Sequence, residues 1–146
     1  MLATYAGGGP DVDIIIGFKE LEYKEGPWRY KDSYSGFFQS WGRETVWYKK
    51  RPFWTQIYGG GMEPKFYGNK NFTHETFTFL KKAMAAGDKS KRFQPRGPKS
   101  FTLGSWSYQS TLKGNIKKFQ GSEKILYKDK VVFTHNFLGG LFIPSK

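Results

Sequence analysis

Residues 23–62 of this 146-residue chain return, altered, about 79 positions later. Tyr23-Lys24-Glu25-Gly26-Pro27-Trp28-Arg29-Tyr30 is answered by Phe101-Thr102-Leu103-Gly104-Ser105-Trp106-Ser107-Tyr108. Gly36 then meets Gly114 and Trp41 meets Phe119, after which one extra residue enters the second copy. Beyond it, Gly42-Arg43-Glu44 aligns with Gly121-Ser122-Glu123, and Tyr48-Lys49 with Tyr127-Lys128. Phe53-Trp54-Thr55 aligns with Val132-Phe133-Thr134, Tyr58 with Phe137, and Gly60-Gly61 with Gly139-Gly140. The identities fall on glycines, which set turns, and on aromatics, which fill cores.

Each copy reads as an antiparallel β-meander. Trp28, Tyr30, Asp32 and Tyr34 alternate with Arg29, Lys31 and Ser33, the period of a half-buried strand. Thr45–Tyr48 and Phe53–Tyr58 read as two further strands, joined through Lys49-Lys50-Arg51-Pro52, with Lys128-Asp129-Lys130 as the matching hairpin. Between the copies, residues 73–86 predict one helix, with Thr73 as its cap, Glu75 in its first turn and Gly87 as its stop. Phe77, Leu80 and Met84 form its apolar stripe, with Phe79 and Ala83 beside it. A basic loop, 88–99, follows and is broken by Pro95 and Pro98. The expected fold class is therefore α+β and β-rich. Two antiparallel β-meander repeats (23–62 and 101–141), related by a pseudo-two-fold, share one core in a single domain, 1–146, and one α-helix joins them.

Charge is distributed unevenly over this frame. Residues 1–75 carry ten Lys and Arg against nine Asp and Glu, whereas residues 76–146 carry fourteen against three. Such asymmetry is the footprint of an anionic partner, against the plainer explanation of lysine enrichment, Lys outnumbering Arg 19 to 5. The absence of cysteine excludes disulfides, thiolate metal sites and a cysteine nucleophile, and fits a reducing cytoplasm. No apolar run is long enough for a membrane-spanning helix, and the first residues lack the pattern of a signal peptide. The expected location is cytoplasmic.

Ala3-Thr4-Tyr5-Ala6-Gly7-Gly8-Gly9, Leu21-Glu22-Tyr23 and the segment from Trp54 to Gly59 carry a resemblance covering nearly the whole chain. The chain resembles a prokaryotic domain family of unknown function, some of whose members carry the domain behind a helix-turn-helix module. That arrangement implies a sensor or effector role. Here the chain begins almost at the Thr4-Tyr5-Ala6-Gly7 motif, so no such module is expected. The resemblance brings no catalytic residues with it.

His74 and His135 are far apart and outside any ligand-spaced cluster, so no metal or other cofactor is expected. His74 is expected at the helix start, and His135 stands where the first copy has Gln56. No phosphate-binding or dinucleotide fingerprint is present; Gly7-Gly8-Gly9 and Gly59-Gly60-Gly61 read as bends ahead of anion nests. Glu44 and Glu123 each follow a glycine, and this symmetry favours stabilised turns over an acid–base pair. Trp54, Gln56 and Tyr58 point one way along their strand, as do Phe133, His135 and Phe137. Two aromatics flanking a polar group suit either core or a ligand pocket.

The leading expectation is a non-enzymatic binding or regulatory module that engages an anionic partner through its basic second half. Lys89, Lys91, Arg92, Arg96 and Lys99 would meet phosphate and aromatics such as Phe93 would stack, a combination suited to single-stranded nucleic acid. The alternative is a small-molecule-binding or enzymatic domain, its pocket lined by Trp54, Gln56, Tyr58, Phe133, His135 and Phe137. A third reading, a protein-interaction domain, would call for a large exposed patch of Trp and Tyr. The oligomeric state is not legible in the sequence.

Overall fold

A computed structural model describes residues 15–87 and 92–145. Its strands are β1 (Lys19–Glu25), β2 (Trp28–Gly36), β3 (Gln39–Tyr48), β4 (Arg51–Met62), β5 (Ser100–Leu103), β6 (Trp106–Asn115), β7 (Lys118–Tyr127) and β8 (Lys130–Leu141). A short 3-10 turn, Pro64–Phe66, and one helix, α1 (Lys70–Ala86), separate β4 from β5. All eight strands form one sheet in the order β1-β2-β3-β4-β8-β7-β6-β5, with every neighbouring pair antiparallel. The fold is α+β and mostly β. Each half holds four strands rather than three. The added ones, β1 and β5, are short or highly charged edge strands whose apolar alternation is weak.

The strand registers recur with the sequence offset. Tyr23 pairs with Tyr30 and Phe101 with Tyr108; Glu44 pairs with Gln56 and Glu123 with His135. Bulges fall at Val46/Trp47 and Ile125/Leu126. At the centre, β4 and β8 pair so that Tyr58 lies opposite Phe137. One expected correspondence fails. Gly36 pairs with Ser40 and Gly114 with Phe119, so Phe119 occupies the register of Ser40, not of Trp41. The extra residue of the second half lies in the β6–β7 hairpin. A slip of one residue reverses the face of a strand side chain, and so Trp41 is exposed while Phe119 is buried.

The helix also starts differently from the expectation. Asn69, not Thr73, is the cap: its side chain accepts the Phe72 N–H at 3.1 Å. Thr73 and Thr76 lie on the buried face with Phe79 and Ala83, their hydroxyls donating to the carbonyls of Asn69 and Phe72 at 2.9 Å. Phe77, Leu80 and Met84 are only half-buried, and Glu75 lies beyond the first turn. Gly87, at φ 46°, ends the helix as expected. α1 packs over β5 and β6, and the interior divides in two. Met62, Phe79, Ala83, Tyr108, Ile125, Val132 and Phe133 form one apolar cluster; Trp54, Tyr58, Phe119 and Phe137 form the other. Along β7 and β8, Glu123 and His135 fall between the two clusters.

Candidate functional site

The period-2 geometry that buries Trp54, Tyr58, Phe133 and Phe137 carries Gln56, His135, Glu44 and Glu123 onto the same face of the sheet. The glutamates are therefore mid-strand residues of β3 and β7, not turn residues. Buried carboxylates require partners. Glu44 accepts from the Tyr30 hydroxyl at 2.8 Å and from Gln56 Nε2 at 2.9 Å. Glu123 accepts from the Tyr108 hydroxyl at 2.5 Å and lies 3.2 Å from His135 Nδ1. Each glutamate thus meets the tyrosine and the polar β4 or β8 residue at matching registers.

What separates the two halves is Arg96. The segment 92–99 lies over the sheet, and Arg96 turns inward, its side chain 6% exposed. Its Nε and Nη2 reach Glu123 Oε2 at 2.9 and 2.7 Å, whereas Glu44 stands 3.7 Å from Nη1. The guanidinium also sits 4.8 Å from the centre of the Tyr58 ring. Tyr58 in turn donates to Asp32 at 2.7 Å. Several contacts fasten the segment. The Gly97 N–H donates to the Tyr108 hydroxyl at 3.0 Å, Gln56 Nε2 to the Pro95 carbonyl at 3.2 Å, and Ser110 Oγ to the Pro98 carbonyl at 2.8 Å. A Cβ at Gly97 would stand 2.7 Å from the Tyr108 ring, so only glycine admits this approach.

These partners divide the carboxylates electrostatically. Burial alone would raise Glu123, but His135, Arg96 and Tyr108 outweigh it and hold its pKa at about 2. Burial raises Glu44, against weaker support from Tyr30 and Arg96, and burial likewise raises Asp32. Burial lowers His135, so the imidazole is neutral and donates Nδ1–H to Glu123. Among the described residues, its Nε2 and the Gln56 Oε1 have no hydrogen-bond partner. Burial raises Tyr30, Tyr58 and Tyr108, the adjacent carboxylates adding to it. Among the described residues there is no group of three His, Cys, Asp or Glu side chains able to hold a metal ion. His74 lies on α1 with its ring 5.1 Å from that of Phe37.

Beside this cluster runs a cleft of about 650 Å3 between residues 92–99 and β6. Arg92, Lys99, Phe93, Leu112, Asn115 and Phe137 are among its lining residues. The structure thus sorts the candidate residues. Arg92 and Lys99 border the cleft, and Lys89 and Lys91 lie outside the described residues. Arg96 also lines the cleft, with its guanidinium paired to Glu123. Phe93 is packed rather than exposed, its ring 4.9 Å from that of Phe119. Trp54, Gln56, Tyr58, Phe133, His135 and Phe137 do gather on one face, yet only Phe137 reaches the cleft. Tyr30, Asp32 and Tyr108 belong to no motif that marks them as site residues in the sequence. The match of Tyr30 with Tyr108 in the same alternation as the paired glutamates was the available signal.

Fold and site together define an α+β, β-rich domain in which one sheet carries an apolar cluster beneath a helix and, beside it, a charged cluster beneath an arginine-bearing loop. The chain belongs to the family described as Domain of unknown function (DUF5680), which matches residues 32–142. That span begins within β2 and ends one residue past β8, and includes both glutamates, Arg96 and His135. No curated protein and no solved structure matches the chain. Among the described residues, no helix is long and apolar enough to cross a membrane.

Proposed function

We propose that this protein is a non-catalytic binding module that takes a segment of single-stranded nucleic acid in the cleft between residues 92–99 and β6. The observation that carries this reading is the composition of the cleft: Arg92 and Lys99 stand with Leu112 and Phe137 around about 650 Å3. That volume suits a nucleobase with its sugar, within the range of about 300–1,000 Å3 common for ligand sites. Apolar surface for the base and cations for the backbone are the two ingredients of sequence-tolerant strand binding. Lys113, Lys117 and Lys118 are exposed on the neighbouring hairpin, and Lys89 and Lys91 precede Arg92 in the chain. A catalytic reading is less well supported, because Glu123 is enclosed by Arg96, His135 and Tyr108 and held ionised. The small-molecule alternative moves to the same cleft, where a single nucleotide would offer the same chemistry.

Fluorescence anisotropy with a labelled oligonucleotide and a labelled mononucleotide tests the proposal. Oligonucleotide binding tighter than about 100 μM at physiological salt, weakened by Lys99→Ala, is expected. Equal affinity for both probes would favour a small anionic ligand, and failure of both would reject the site.

We also infer that β1–β4 and β5–β8 descend from one duplicated unit related by a pseudo-two-fold near Tyr58 and Phe137. The shared offset of registers, bulges and turns supports this. Positive φ recurs at Lys49 and Lys50 (49° and 68°) and at Lys128 and Asp129 (49° and 67°). On this reading the second half alone gained a cover, α1 and the Arg96 segment. A reducing cytoplasm remains the expected location, on the strength of the cysteine-free sequence.

A further inference from the structure

The two halves of the sheet end in matching aromatic strips, and among the described residues only the second is covered. In the second half, the Trp106 and Tyr127 rings lie 4.6 Å apart at 50°; in the first, Trp28 and Tyr48 lie 4.6 Å apart at 53°. A lysine stands over the tyrosine in each, Lys128 at 5.3 Å and Lys49 at 5.4 Å. α1 closes the second strip. Phe72 and Phe79, seven residues apart, each stack on Trp106 at 5.5 Å, and Phe79 also stacks on Phe101 at 5.8 Å. In the first half, Tyr23 is 61% exposed, Trp28 42%, Phe53 40% and Tyr48 37%. No described element lies over them as α1 lies over their counterparts.

We propose that the strip of Tyr23, Trp28, Tyr48 and Phe53 docks an amphipathic helix of a partner protein. Such a helix carries two aromatic side chains two turns apart and acidic side chains beside them. Geometry sets the first requirement: a ring pair so similar to Trp106 and Tyr127 accepts the side-chain spacing that Phe72 and Phe79 present. Charge sets the second. The turn bordering this strip is Lys49-Lys50-Arg51, three exposed cations in succession, where the covered strip has Lys128-Asp129-Lys130. Acidic side chains on the incoming helix would meet those cations. A second copy of the chain is a poorer occupant, because each copy carries a net charge of +12 and its own α1 is already engaged.

The test uses the full chain and a labelled peptide of residues 69–87 in which Lys81 and Lys82 are replaced by Glu. Saturable binding is expected by fluorescence anisotropy, with affinity falling at least about tenfold for Trp28→Ser or Phe53→Ser chains. A peptide with both phenylalanines changed to serine should not bind, and the unmodified lysine peptide should bind more weakly. Two exposed sites are used so that one folded variant suffices, checked by circular dichroism. Binding that survives both substitutions would mean displacement of α1 and overturn the proposal, as would no saturation below about 1 mM. Sedimentation showing a dimer that Trp28→Ser dissociates would also overturn it, in favour of a second copy.

Discussion

Glu44 and Glu123 share a register, a tyrosine donor and a strand face, yet their surroundings push their protons in opposite directions. Arg96 makes the difference by bonding Glu123 closely and Glu44 only at 3.7 Å. Removing the Glu123 charge strands a buried guanidinium, so Glu123→Gln should destabilise the fold by about 3–5 kcal/mol in urea titration. Glu44→Gln removes a carboxylate whose ionisation burial already opposes, and should change stability by less than about 1 kcal/mol. Similar losses at both positions would contradict the asymmetric role of Arg96. His135 adds a pH dependence. Burial holds its folded pKa below the ordinary 6.5, so its stabilisation is present above that pH and declines as pH falls towards the folded value. His135→Gln, which copies Gln56, should flatten the loss of stability between pH 7 and 5. Glu123, unfolded near 4.5 and folded near 2, acts in the same direction only below 4.5, whereas the raised Glu44 opposes the loss above 4.5, between its unfolded and folded values. An unchanged slope in the variant would place the proton uptake elsewhere.

At the scale of elements, the hairpin turns depart from ordinary turn chemistry. Lys49-Lys50 and Lys128-Asp129 hold both central residues at positive φ, a primed turn that glycine fills at least strain. Lys50→Gly and Asp129→Gly should therefore each stabilise the protein by about 0.5 kcal/mol, less than the full left-handed penalty because glycine also loosens the unfolded chain. Differential scanning calorimetry of the single and double variants checks this, and a lower melting temperature would contradict it. These turns were legible as hairpins from the basic residues flanked by strand patterns. The helix was legible in its extent and stop but not in its cap or buried stripe. Thr73 reads as the cap, yet it and Thr76 are buried mid-helix, because a sequence pattern does not show that the helix carbonyls behind them satisfy their hydroxyls.

Across the whole molecule, charge and cover are concentrated on one half of the sheet. If Lys89, Lys91, Arg92 and Lys99 all meet phosphate, the log–log salt dependence of oligonucleotide affinity should have a slope of about −2.8, at roughly −0.7 per contact. Arg92→Ala should reduce its magnitude by about 0.7. Arg96→Ala should instead act on stability, since its guanidinium is paired with Glu123. A slope near zero would leave the excess lysine as a matter of solubility.

The sequence by itself determined the β-rich class, the strand alternation of the inner face, the hairpins and the Gly87 helix stop. Each rests on neighbours a few residues apart, through side-chain period, turn conformation and backbone freedom. It also placed Trp54, Gln56, Tyr58, Phe133, His135 and Phe137 on common faces, because period 2 leaves no other option within a strand. Only the tertiary structure decided which of these faces is cleft and which is core. It also decided that Arg96 pairs with Glu123 across 27 residues, and that Trp41 and Phe119 lie on opposite faces. The physical reason is the same in each case. A one-residue difference in a hairpin, or the path of a loop over a sheet, changes nothing in local propensity. Yet it selects which buried charge finds a partner, and desolvation makes that selection decisive.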